Sequence, residues 1–132
     1  MRPPKGWNTG RPRGWFVGAG PAFRIEEIRE AFLTRISVTG ELDLATGPAL
    51  AERFRDVSLA VRRKPRGQRT VRVDLSNVEF IDSTGVHVLY EAIHHATSDG
   101  WRLQIERELR PQVRDVARIT GLDRFFTASE AG

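Results

Sequence analysis

A chain of 132 residues, 39% hydrophobic and 29% charged, has room for one modest core and a tail. None of its apolar runs approaches the roughly 20 residues needed to cross a bilayer. Cysteine is absent, which excludes disulfides and thiolate metal sites and fits a reducing, cytoplasmic compartment. The net charge of +4 invites a nucleic-acid partner, but it is unevenly placed. Residues 1–22 and the run "RRKPRGQR" at 62–69 hold nine of the 21 Lys and Arg residues and none of the 17 Asp and Glu residues. The remainder of the chain is therefore acidic on balance.

The first 22 residues are rich in Gly, Pro and Arg and follow neither a strand nor a helix period, which predicts a flexible basic arm. Its positive start runs into no continuous apolar segment, so no secretory signal peptide is expected. Trp7 and Trp15 are its sizeable apolar anchors. They offer docking onto the body or a partner as the alternative to a solvated extension. A folded domain is predicted over residues 23–127, with a short tail at 128–132.

From Phe23 apolar and polar residues interleave in "FRIEEI" and again in "LTRISVTGELDL", predicting two half-buried strands joined near Glu30 as a hairpin. In "ATGPALAERFRDVSLAVRR", Leu50, Phe54, Val57 and Val61 recur at helical spacing, with Thr46 or Gly47 as cap and Pro48 in the first turn. Val71, Val73 and Leu75 then alternate with Arg72 and Asp74 in a strand expected to meet a turn at Ser76 and Asn77. A second helix is predicted over about Thr84–Thr97, where Val86, Leu89, Tyr90 and Ile93 share a face before the stop at Ser98–Gly100. Trp101, Leu103 and Ile105 mark a further strand. Pro111, the face of Val113, Val116 and Ala117, and Gly121 delimit a third helix. Strands joined through helices run parallel, so the fold class is α/β: a small, mixed, mostly parallel four-stranded sheet, with an N-terminal strand as an optional addition, packed against three or more helices.

The stretch "EFIDSTGVHVLYEA" stands where a strand hands over to a helix, a common place for function in open α/β sheets. A helix N-terminus offers unpaired N–H groups and partial positive charge, so it accommodates a phosphate on a local serine. Ser83 is such a serine. From spacing alone the plainer role remains open, in which Asp82, Ser83 or Thr84 caps the helix through a side-chain oxygen.

The segments "SVTGELDLATGPAL", "VRVDLSNVEFIDSTGVHVLYEA" and "ITGLDRFF", in this order and spacing, resemble the STAS domains of bacterial anti-sigma factor antagonists over roughly residues 23–127. The resemblance implies a mixed four-stranded sheet with helices, and no enzymatic activity or cofactor. It implies that Ser83 is phosphorylated by an anti-sigma factor that is itself a serine kinase, and that a phosphatase reverses the modification. By the same resemblance Asp82 contacts the kinase and orients the serine, Thr84 and Gly85 complete the loop, and Asp43 of "GELD" lies on the partner-binding surface. The sequence departs from the family pattern at Thr84, where serine is common. It departs also at His87, where a small or apolar residue is usual and which is expected to face the partner. The basic loop and the arm are additions.

Other readings carry less. A hydrolase built on Ser83 lacks the Gly-x-Ser-x-Gly elbow, and His87 is the only histidine nearby. His87 and His94 lie two helical turns apart rather than the one turn that favours shared metal coordination, so no metal site is expected. The glycines of the arm lack the Lys-Ser/Thr ending of a phosphate-binding loop. A nucleic-acid role through the arm and basic loop, or a STAS subunit of a stress-signalling or lipid-transport complex, stands as the alternative to the antagonist.

Overall fold

The computed structural model describes residues 23–127; the expected basic arm with Trp7 and Trp15 and the 128–132 tail lie outside the described residues. Strands β1 (Arg24–Arg29) and β2 (Thr34–Leu42) form the predicted hairpin, antiparallel with Arg24 opposite Thr39 and Arg29 opposite Thr34. The turn closes through a bond from Glu30 N–H to the Leu33 carbonyl at 2.7 Å. Along β2 burial alternates strictly. Ile36, Val38 and Leu42 point into the core, while Arg35, Ser37 and Glu41 face the other way, as the period of two in the sequence requires.

Helix α1 (Gly47–Val61) follows, burying Leu50, Phe54, Val57 and Val61, with Pro48 in its first turn. A 3-10 turn at Arg66–Gln68 leads into β3 (Thr70–Ile81), which pairs parallel with β2. Helix α2 (Ser83–Asp99) ends on Gly100 in the left-handed region (φ 83°) and delivers the chain to β4 (Arg102–Ile105), parallel to β3. Helix α3 (Pro111–Thr120) ends likewise on Gly121 (φ 84°). The sheet order is β1-β2-β3-β4: among the described residues, an α/β fold with a mixed, mostly parallel four-stranded sheet and three α-helices, as the sequence predicts.

One expectation fails. Ser76 and Asn77 do not make a turn but lie inside β3, which runs unbroken to Ile81. Ser37 stands opposite Asp74 while Thr39 stands opposite Asn77, and Gly40 opposite Val78 while Glu41 stands opposite Phe80. The strand therefore carries an extra residue at each of two bulges. The Asp74 carboxylate accepts a bond from Ser76 N–H at 2.9 Å, so turn-forming residues stabilise the first bulge instead of ending the strand. Burial shifts accordingly, from steps of two at Val71, Val73 and Leu75 to steps of three at Val78 and Ile81.

The core lies between one face of the sheet and helices α1 and α2, which contribute Leu50, Phe54 and Val57 and Leu89, Ala92 and Ile93. Helix α3 lies beside the C-terminal half of β3, beyond the short β4. There Arg110 Nε donates to the Ser76 carbonyl (3.3 Å) and Gln112 Nε2 to the Glu79 carbonyl (3.1 Å). The Tyr90 hydroxyl donates to the Thr120 carbonyl at 2.6 Å and its ring meets Phe125 edge-on, tying α2 to the end of α3. On the opposite sheet face Arg35 donates to Glu106 at 2.6 Å and reaches Glu30 at 3.3 Å. The hydrogen bond to Glu106 raises the guanidinium pKa above its ordinary value.

Candidate partner-binding site

Two loops meet at the C-terminal ends of β2 and β3. In the first, the Asp43 Oδ1 atom accepts from the N–H groups of Ala45 (3.0 Å) and Thr46 (3.1 Å). The Thr46 hydroxyl donates to the Glu41 carbonyl (2.7 Å) and accepts from Asp43 N–H (2.9 Å). Thr46 occupies the N-cap position of α1 but makes no side-chain cap bond into the helix. Its hydroxyl instead locks the loop that feeds α1. Asp43 is thereby half-buried and committed to turn geometry.

The second loop is stitched to the first by a bond from Asp82 N–H to the Leu42 carbonyl at 3.2 Å. Asp82, in extended conformation, is the N-cap of α2 and its Oδ1 accepts from Gly85 N–H at 3.0 Å. The capping role left open by spacing alone therefore belongs to Asp82. Ser83, the first helical residue, is exposed, and its hydroxyl makes no hydrogen bond to any of the described residues. Thr84 is half-buried, and its methyl group lies 3.1 Å from where a Cβ on Gly47 would stand. That hydroxyl residue is wedged between the two loops, whereas its neighbour is free.

Gly85 makes the juxtaposition feasible. A Cβ there would stand 2.7 Å from the Leu42 carbonyl oxygen and 2.8 Å from Ile81 Cγ1, so only glycine lets α2 begin this close to the end of β2. The chain thus brings together Asp43, Asp82, Ser83, Thr84 and Gly85. His87 stands about one turn further along α2, exposed, with Nε2 3.4 Å from Glu91. His94 and His95 belong to later turns of the same helix.

Two residues beside the site carry no prior assignment. Leu44, read from the sequence as the last residue of a strand, lies past the end of β2 and is 74% exposed; Phe80, two residues before Asp82, is 48% exposed. The signal for Leu44 was its place in "DLATGP", where a turn-forming Asp precedes it and a first-turn proline follows. Phe80 gave no such signal, because the turn expected at Ser76 and Asn77 separates it from the alternation of the strand, whereas in the structure β3 continues and its second bulge turns Phe80 outward.

The family model described as "Mlab, STAS domain" matches residues 29–127. The chain belongs to the STAS domain family. Among solved structures it is similar to an anti-sigma factor antagonist from Mycobacterium paratuberculosis, at 26% identity and a TM-score of 0.61, over 80% of this chain and 83% of that one. It is similar in fold to a putative anti-sigma factor antagonist from Thermotoga maritima, at 19% identity and a TM-score of 0.65, over 81% of this chain and 88% of that one. The Bacillus cell fate determinant SpoIIAA in its phosphorylated form shares the fold too, at 20% identity and a TM-score of 0.58, over 83% of this chain and 94% of that one. No curated protein matches the sequence. No helix of this STAS domain, among the described residues, is long and apolar enough to cross a membrane.

Proposed function

We propose that this STAS domain is a cytoplasmic anti-sigma factor antagonist that binds an anti-sigma factor serine kinase and is switched off by phosphorylation of Ser83. The observation that carries the reading is the division of labour at the start of α2: Asp82 supplies the cap, so the exposed Ser83 hydroxyl is free for chemistry. The likeness to an antagonist at 26% identity over most of both chains supports it, and the phosphorylated state of a protein with the same fold agrees with it.

In this reading the partner docks over Asp43, Asp82, Ser83, Thr84, Gly85 and His87, with Leu44 and Phe80 as apolar contacts at the margin. A phosphate on Ser83 brings nearly two negative charges and three acceptor oxygens. The helix N-terminus carries them without refolding. The partner surface, shaped for a neutral hydroxyl beside two carboxylates, then meets a dianion. Lost hydrogen bonds and repulsion of a few kcal/mol end the complex, each ~1.4 kcal/mol being about tenfold in affinity. A phosphatase acting on phospho-Ser83 restores binding.

The test combines the protein with candidate anti-sigma kinases and ATP, comparing wild type with Ser83→Ala and Ser83→Glu. Phosphate incorporation is expected in wild type alone. Binding is expected to persist in Ser83→Ala and to fall at least about tenfold in Ser83→Glu. Incorporation that survives Ser83→Ala, or binding untouched by Ser83→Glu, sinks the switch.

A further inference from the structure

We propose that the crevice between α1 and α2 is a second site, one that binds a small amphipathic anion, a monocarboxylate with an apolar body. The helices follow successive parallel strands and lie side by side, so Ala51, Arg55 and Ser58 of α1 face Val88, Ala92 and His95 of α2. Ala51, Ser58 and Ala92 are too small to close the gap. The crevice that remains measures about 360 Å³, at the lower end of the roughly 300–1,000 Å³ typical of small-molecule sites. It fits one small molecule and is too small for a helix or strand of a partner.

Its floor is apolar, formed by the buried side chains of Phe54, Val88, Ala92 and Trp101, with Leu59 standing 55% exposed on the wall. The polar groups at its lower end satisfy one another. The Trp101 indole N–H donates to Ser58 Oγ (3.0 Å), the Ser58 hydroxyl donates to Asp99 Oδ2 (3.1 Å), and the other Asp99 oxygen lies 3.7 Å from Arg62. On the opposite rim Glu91 is engaged by His95 at 3.4 Å. Arg55 is different: among the described residues no carboxylate lies within ion-pair distance of it. Glu91 keeps its contacts with the imidazoles of His87 and His95, so among the described residues the rim group left without a side-chain partner is the Arg55 guanidinium, whose planar fork matches a carboxylate. An apolar floor below a single free cation selects an anion carrying a hydrocarbon body.

The site is independent of Ser83 and of the proposed antagonist role. Its test uses decanoate below its micelle concentration, titrated into the full chain and followed by backbone amide and tryptophan indole NMR shifts. The expected result is saturable binding with shifts at Ala51, Ser58, Ala92 and the Trp101 indole. Decanol and decylammonium are expected to bind at least about tenfold more weakly. Arg55→Glu, an exposed change, is expected to weaken decanoate by a similar factor with the unfolding midpoint unchanged. Ala92→Leu is expected to abolish binding by filling the crevice. Absence of saturation, shifts centred elsewhere, equal affinity for the cationic amphiphile, or an unaffected Arg55→Glu variant would each overturn the assignment. So would crevice shifts that depend on protein concentration without ligand, because a second copy would then be the occupant.

Discussion

The two ends of α1 use charge in opposite ways. At its start the Asp43–Thr46 loop and the Asp82–Gly85 loop spend their carboxylates on backbone N–H groups, leaving the neutral Ser83 hydroxyl as the free group. At its other end lies the basic run from Arg62 to Arg69. There Arg69 turns inward, Nε donating to the Lys64 carbonyl (2.8 Å) and Nη2 to the Arg62 carbonyl (2.9 Å), while Arg62 lies 3.7 Å from Asp99. These contacts satisfy carbonyls at a helix C-terminus, where cations are favoured. A basic run that suggests a nucleic-acid surface is thus partly consumed by the fold. The contrast teaches that the charge of a loop does not tell whether the loop faces a partner; the hydrogen bonds its side chains have already made do.

The joint between the two loops is most sensitive at Gly85. Gly85→Ala puts a methyl group 2.7 Å from a backbone carbonyl oxygen, which cannot move aside without parting the two loops. A loss of about 3 kcal/mol is expected, at the upper end of overpacking costs, read from the midpoint of urea unfolding at unchanged slope. A neutral result would mean that the loops are not held together as described. At the basic end Arg69→Ala removes two charge-assisted bonds to carbonyls. Its half-buried position gives an expected loss of about 1.5 kcal/mol. Arg66→Ala, at an exposed position in the same run, should stay within about 0.5 kcal/mol. Equal effects of the two would erase the distinction between structural and solvated arginines.

The order of elements was open to reading because each carries its own period and its own stop: Pro48 and Pro111 in first turns, Gly100 and Gly121 at left-handed ends. The error at Ser76–Asn77 has a physical cause. A bulge and a turn draw on the same residue types, because both need a side chain that bonds to nearby backbone, and only pairing with β2 decides between them. At the site, the sequence placed Ser83 at the mouth of α2 but could not tell which of Asp82, Ser83 and Thr84 capped it. All three are good caps, and the choice shows only in the fold, where Asp82 takes the extended N-cap conformation and Thr84 lies against Gly47 at the start of α1. Leu44 and Phe80 were missed because their exposure depends on where the strands end: β2 stops at Leu42, short of Leu44, and β3 runs on through Ser76 and Asn77 to carry Phe80.

A finer pair of changes tests the division within the Asp-Ser-Thr triplet itself. Asp82→Ala removes the bond to Gly85 N–H and leaves the first turn of α2 uncapped, an expected loss of about 1 kcal/mol. Ser83→Ala removes a hydroxyl that bonds to none of the described residues, so its effect on unfolding should lie within about 0.5 kcal/mol. Combined in one chain, the two changes should cost no more than Asp82→Ala alone, within the additivity expected of uncoupled groups. A Ser83→Ala loss equal to that of Asp82→Ala, or a clear coupling between them, would mean that the serine shares in the cap. Its hydroxyl would then be occupied in the resting state, and a kinase would first have to pull it out of the helix end, weakening the case for a switch that works without refolding.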